Sequence, residues 1–199
     1  MMMIRLIKYT ILSIVYFPHI LLFWTSHNRK CIMEDIRVNN YKNGFKELPG
    51  GGYNLVLQLV NNKYFRNLFY FRLGNKAKLV SWYCHPVPFF IISTKLGPGC
   101  YVAHPYSTTI FAKTIGRNFT CHQNTTIGVK YDQDNAGIPT LGDNVTIGCN
   151  VCIIGNIKIG NNVVVGAGTV VVKDISDNCV VAGNPAKILK VLTKDKNSI

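Results

Sequence analysis

The sequence predicts a mainly β chain: a parallel β-helix of hexapeptide repeats, preceded by an α-helical region. Three observations predict it. An aliphatic residue returns every six positions, Gly and Asn recur at fixed places between them, and the chain before residue 90 has helical spacing instead. The aliphatic series is Leu141, Ile147, Ile153, Ile159, Val165 and Val171, and Gly142, Gly148, Gly160 and Gly166 follow four of its members. Four places after each comes a second small or branched residue: Val145, Val151, Ile157, Val163, Thr169 and Ile175. Neither a helix nor a simple strand repeats in this way. A hexapeptide period makes each hexad one short face of a prism, with three hexads to a coil. The aliphatic residue then points inward and stacks on its equivalents. Gly and Asn are expected at the corners, where positive φ is needed and a Cβ costs energy.

The repeat extends upstream through Leu96-Gly97, Val102, Ile115-Gly116, Cys121 and Ile127-Gly128, with a seven-residue step from Val102 to Thr109. It stops between Val129 and Thr140, where Lys130-Tyr131-Asp132-Gln133-Asp134-Asn135-Ala136-Gly137 reads as an inserted polar loop. Loops pushed out of a solenoid are where binding function concentrates.

Before the solenoid, Cys31 to Phe45 reads as a helix, Gly50-Gly51-Gly52 as a break, and Tyr53 to Leu73 as a helix ending at Gly74. Pro86 and Pro88 mark the entry to the repeat. The clustered aromatics Tyr64, Phe65, Phe69, Tyr70 and Phe71 read as core. Residues 4 to 24 are strongly apolar, with Arg5 and Lys8 at one end and His27, Arg29 and Lys30 after the other. A signal peptide lacks its small-x-small cleavage site here. A transmembrane helix fits by length, but Pro18-His19 interrupts it. A broken helix in the membrane interface, or packed on the protein, is the third reading. Trp24, the tyrosines and the flanking cations favour the interfacial position. The expected organisation is an apolar segment at 1–30, a helical region at 31–90, the β-helix at 91–183 with its loop at 129–140, and a tail at 184–199.

The formal net charge is +13, from 22 Lys and Arg against 9 Asp and Glu. The excess comes from scarce acids rather than dense bases, and it favours anionic partners. The cations are dispersed and no nucleic-acid-binding motif occurs, so no nucleic-acid partner is expected. Seven cysteines, an odd number in a chain of 199 residues, fit a reducing compartment. Cys149 and Cys152 form a CxxC with no second pair at zinc spacing, so no metal site is expected. The sequon matches at Asn118, Asn124 and Asn144 arise by chance on an Asn- and Thr-rich solenoid.

The hexads, the inserted loop and the tail Val180-Val181-Ala182-Gly183-Asn184-Pro185-Ala186-Lys187 resemble the hexapeptide-repeat acyltransferases, and within them the serine acetyltransferase branch. Closer still in appearance are the serine acetyltransferase-like O-acetyltransferases of bacterial polysaccharide synthesis, whose apolar start resembles Pro18-His19-Ile20-Leu21-Leu22. The resemblance covers about residues 85 to 192. It implies a left-handed parallel β-helix, a homotrimer, acetyl-CoA in the groove between neighbouring prisms, and a catalytic His. With the cysteine usage, the expected location is the cytoplasm, either free or, through the apolar start, peripheral on the inner face of the cytoplasmic membrane. The position matching the catalytic His is His104, in Gly99-Cys100-Tyr101-Val102-Ala103-His104-Pro105-Tyr106. An imidazole, with pKa about 6.5, suits removal of a hydroxyl proton at neutral pH. His122, read as one hexad off the base position, is a second base, an acceptor ligand or a surface residue.

The family's CoA contacts carry over to Gly128 for the pantetheine arm, Cys149 beside the thioester, Gly166 and Ala167 for close approach of the arm, and Lys173 and Lys187 for phosphates. The departures concern the acceptor. Ala103 stands where serine acetyltransferases carry an Asp before the His. Phe89 stands where they carry the Asp that orients it, and Gly137-Ile138-Pro139 where they carry an Arg-His pair. The expected activity is acetyl transfer to a hydroxyl, of a sugar rather than of serine. Serine acetyltransferase proper and a non-catalytic scaffold are the alternatives.

Overall fold

A computed structural model describes residues 2–87, 89–92, 95–130 and 137–192. It divides into two compact units, Met1–Pro88 with Pro98–Tyr101, and Phe89–Gly97 with Val102–Ile199. Most of the expected polar loop, residues 131–136, lies outside the described residues.

The first unit is helical: α1 (Met2–Val15), α2 (Phe17–Trp24), α3 (Arg29–Lys42), α4 (Gly51–Asn61) and α5 (Lys63–Leu73), then a 3-10 turn at Gly74–Leu79. Pro18 lies in the first turn of α2, where its missing N–H costs nothing, and α1 and α2 meet there at 82°. The helix read from Tyr53 to Leu73 is two helices. Asn62 divides them, because its side chain accepts from the backbone N–H groups of Tyr64 and Phe65 and so caps α5. Gly51 and Gly52 do not break a helix but begin α4, after Gly50 at φ 89°. A Cβ on Gly51 would stand 2.9 Å from the Met33 sulfur and 3.4 Å from the Phe23 ring, so α4 could not pack this closely with a larger residue there.

The helical core combines Phe23, Ile32, Ile36, Leu55, Leu59, Phe65, Leu68 and Phe69, all buried, with an amide network. Gln58 donates to the Asn40 side chain (2.6 Å), Asn40 to Asn54 (3.2 Å), and Asn62 to Gln58 (3.0 Å). Arg72 and Asp35 form a buried ion pair through Nε (2.8 Å) and one terminal nitrogen (3.2 Å). Asp35 also accepts from the Cys100 N–H (2.8 Å), and Asn39 donates to the Cys100 carbonyl (2.9 Å). His19 is fully buried between two tyrosines. The Tyr70 hydroxyl gives its proton to the Cys84 carbonyl (2.6 Å), so its oxygen accepts from His19 Nε2 (3.0 Å). That leaves His19 Nδ1 to accept from the Tyr83 hydroxyl (2.8 Å). Burial, and then the charge of Arg66, push the His19 pKa down to about 4.

The second unit is a parallel β-helix with three faces. On one face Ile110, Ile127, Ile153 and Val171 stack in register. On the next, Leu96, Ile115, Leu141 and Ile159 do so, and on the third Cys121, Ile147, Val165 and Val181. The aliphatic series and the second series are both buried, so both line the core. A regular coil takes 18 residues; the coil that carries the loop takes 26, and the last parallel coil 16. The chain is back in register at the strand Thr140–Leu141. Upstream, the inward residue after Val102 is Ile110 rather than Thr109, because the turn Pro105-Tyr106-Ser107 adds a step.

The corners correct one expectation. Positive φ falls on Asn118, Asn124, Asn144, Asn150, Asn162 and Asn178, not on the Gly that follows each aliphatic residue. The Asn side chains bond to one another coil by coil, Asn118 to Asn144 (2.9 Å), Asn144 to Asn162 (2.9 Å) and Asn162 to Asn178 (2.8 Å). The post-aliphatic Gly answers to space. A Cβ on Gly97 would stand 2.5 Å from the Gly116 backbone, and one on Gly148 2.7 Å from the Ala167 nitrogen. The last strand among the described residues, Lys187–Val191, turns back and pairs antiparallel with Cys179–Ala182.

Candidate active site

His104 follows the strand Tyr101–Val102 at a corner of the solenoid, exposed and at φ 48°. Apart from the corner Asn residues, only His104 and Ser107 among the described non-glycine residues have positive φ. A left-handed His has local strain that its surroundings must hold, and such positions cluster at functional sites. Here the turn does so: the Tyr106 N–H donates to the His104 carbonyl (2.6 Å), and Pro105 is buried.

The ladder of this face places other residues at the same corner. Ala103 N–H donates to the Cys121 carbonyl, His122 to Ile147, Gly148 to Val165 and Gly166 to Val181. Coil by coil, Ala103, His122, Gly148, Gly166 and Ala182 therefore follow one another, and His104, Gln123, Cys149, Ala167 and Gly183 lie one residue further on. His122 is thus not a hexad away from the base. It follows Ala103 by one coil, at the same corner. Below the two histidines the corner is made of Gly148, Cys149, Gly166, Ala167, Ala182 and Gly183, all small residues.

The candidate cofactor residues divide between two corners. Cys149, Gly166 and Ala167 share the corner of His104. Gly128 lies at the far end of the adjoining face, paired with Ile154 and accepting from the Gly155 N–H. Lys173 follows the last strand of that face, Val170–Val171, and so belongs to the same far corner. Lys173 and Lys187, both exposed, line one cavity of about 370 Å³ with Val172, Asp174, Pro185 and Ile188. The sequence did not single out Gln123, which takes the rung after His104; counting one coil along would have found it. Among the described residues no group of three His, Cys, Asp or Glu side chains is placed to hold a metal.

Phe89 and Ala103 are buried at 6% and 5% exposure, and both are apolar. From Ala103 to Thr109 and from His122 to Thr125 the chain carries no carboxylate and no guanidinium.

A family model described as bacterial transferase hexapeptide (six repeats) matches residues 139–173. Over 96 residues, 48% of this chain and 25% of the relative, the sequence is 38% identical to mitochondrial serine acetyltransferase 3 of Arabidopsis thaliana. It is 54% identical over 63 residues to a 2,3,4,5-tetrahydropyridine-2,6-dicarboxylate N-acetyltransferase of Clostridium botulinum, covering 30% of this chain and 27% of that one. The chain spans about a quarter of the length of these curated relatives. Among solved structures it is similar to serine acetyltransferase (CysE) of Neisseria gonorrhoeae. There the TM-score is 0.58 with 26% identity, covering 84% of this chain and 68% of that one. The solenoid is the left-handed parallel β-helix. By repeat, fold and sequence, the chain is a hexapeptide-repeat protein similar to acetyltransferases, serine acetyltransferases among them.

Proposed function

We propose that the chain transfers an acetyl group from acetyl-CoA to a hydroxyl, with His104 as general base. The observation that carries this is His104 itself, an exposed imidazole held at positive φ above a corner of small residues. His104 takes the acceptor's proton as the hydroxyl oxygen attacks the thioester carbonyl. The C–O bond forms, the C–S bond breaks, and the imidazolium returns the proton to the departing thiolate. The products are an acetyl ester and CoA. The row Gly148, Gly166 and Ala182, beside Cys149 and Ala167, leaves room for a pantetheine arm along the backbone. The Lys173 and Lys187 cavity offers two cations to phosphates. A homotrimer would bring the two corners of neighbouring subunits together around one donor.

The acceptor we favour is a sugar hydroxyl. Supporting it are the apolar Phe89 and Ala103 and the absence of charged side chains around His104 in the sequence. An amino acid's carboxylate and ammonium call for charged partners. Serine is the second reading, favoured by the likeness to serine acetyltransferases.

The test is CoA release from acetyl-CoA by the purified chain, with L-serine and with a panel of free and nucleotide-linked sugars. Sugar-dependent, serine-independent turnover is expected. Serine-dependent turnover would replace the acceptor assignment, and turnover with neither while acetyl-CoA fails to bind would overturn the whole reading. His104→Ala is expected to lower kcat about 10²- to 10⁴-fold with acetyl-CoA affinity retained. An unchanged rate would remove His104 from the chemistry.

A further inference from the structure

We infer that α1 and α2 lie on an anionic membrane surface, in its plane, with one long face of the pair in the interface. α1 has two apolar faces. Tyr9, Leu12 and Tyr16 pack toward the helical core with Leu48, Val56 and Leu57. Ile4, Ile7, Ile11 and Ile14, at three- and four-residue spacing, form the other face and are 72%, 55%, 59% and 75% exposed. On α2 the series continues with Phe17, Leu21 and Trp24, exposed at the same spacing. Isolated exposed apolar residues are ordinary, but a stripe along two successive helices marks an interaction surface.

Charge and geometry point to lipid. No acidic residue precedes Glu34, while Arg5, Lys8, Arg29 and Lys30 flank the stripe. Lys8 is exposed beside it, and the Arg29 guanidinium stacks over the Trp24 ring at 4.0 Å, joining a cation to an aromatic at the rim. Cations around an apolar strip match anionic headgroups around acyl chains. A second copy of the same face would set cation against cation with no acid in the segment to answer them. Among the described residues no single helix is long and apolar enough to cross a membrane, and α1 and α2, 14 and 8 residues long, are bent at 82°. That geometry suits a pair lying flat. An open apolar cleft of about 420 Å³, lined by Ser13, Ile14, Phe17 and Ile20, lies at the bend and offers a place for part of an acyl chain. This inference is independent of the acetyl acceptor.

The test is flotation of the full chain with vesicles of phosphatidylglycerol in phosphatidylcholine, and with vesicles of phosphatidylcholine alone. Preference for the anionic vesicles, weakened by salt, is expected. Arg5→Gln with Lys8→Gln should reduce that partition about fivefold per cation removed. The triple change Ile7→Gln, Ile11→Gln and Ile14→Gln should reduce it at least about tenfold. Circular dichroism should be unchanged in both, because the side chains replaced are not core. With Trp82→Phe as background, Trp24 emission should shift to the blue on anionic vesicles, a readout that leaves the stripe intact. A full chain that stays in the aqueous fraction with unshifted emission overturns the inference. So does an oligomer in solution that the triple change dissociates while vesicle binding is absent, for the stripe would then face a second copy.

Discussion

In the solenoid, Asn118, Asn144, Asn162 and Asn178 each bond to the same residue type one coil along. In the helical unit, the buried amides of Asn39, Asn40, Asn54, Gln58 and Asn62 bond to one another and to isolated backbone groups at Leu48, Gly50 and Cys100. One unit spreads its polar contacts over a repeat, so losing one leaves a similar contact above and below. The other gathers them where each is made once. The difference teaches where single changes should act most strongly, and it can be tested in descending order of effect.

The largest effect belongs to the ion pair. Asp35→Ala removes the carboxylate that the Arg72 guanidinium and the Cys100 N–H both bond in the helical core, and should cost about 3–5 kcal/mol in denaturant unfolding. Replacing the pair together, Asp35→Leu with Arg72→Met, should recover much of that loss. A mild single and a severe double would show that the pair is not the contact that matters. Next comes His19. Its folded pKa is near 4, below that of a free imidazole, so between about pH 6.5 and 4 the unfolded chain binds a proton that the folded chain excludes. Stability should therefore fall as pH falls through that window, by at most about 3 kcal/mol. His19→Gln should flatten the slope of melting temperature against pH, and an unaltered slope would mean that other groups set it.

The solenoid should respond less. Gly142→Ala puts a Cβ 2.5 Å from Asn161 Oδ1 and 2.9 Å from the Gly160 backbone, and should cost about 1–3 kcal/mol. A neutral result would show that the coils can spread at that corner. Asn144→Ala removes two ladder bonds from an exposed corner and a residue suited to φ 56°, for about 1–2 kcal/mol. A loss above that of Asp35→Ala would reverse the comparison.

The same difference decides how much could be read from the sequence. The hexads were legible because every coil makes the same contact, so Leu141, Ile147 and Ile153 announce three faces at once. The two kinds of corner residue were not told apart, because close coil-to-coil approach and positive φ both favour small residues. Only the coil spacing separates Gly148 from Asn150. In the helical unit, Asn62 looked like one more residue of a helix, since a capping side chain leaves no periodic trace. The Asp35–Arg72 pair joins residues 37 apart, and Asp35 reaches Cys100 across 65, with nothing local to signal either. At the candidate site the motif singles out His104, and the structure adds only its exposed place at a corner with φ 48°. The division of Gly128 and Lys173 from Cys149 and Ala167 was not legible, although the phase of the hexads holds it. All four directly or closely follow an inward residue, but on two different faces.

The final hairpin has a consequence for growth. A parallel solenoid ends in a rung whose N–H and C=O groups await another strand of the same direction, an open template for a further chain. Lys187–Val191 fills that rung on one face in the opposite direction. A strand arriving in the repeat's own sense meets reversed polarity there, and the side chains of Lys187 and Lys190 on the reversed strand. The turn thus makes this part of the stack a poor seed for end-to-end polymers, and the chain can concentrate its repeats without inviting fibres at that edge.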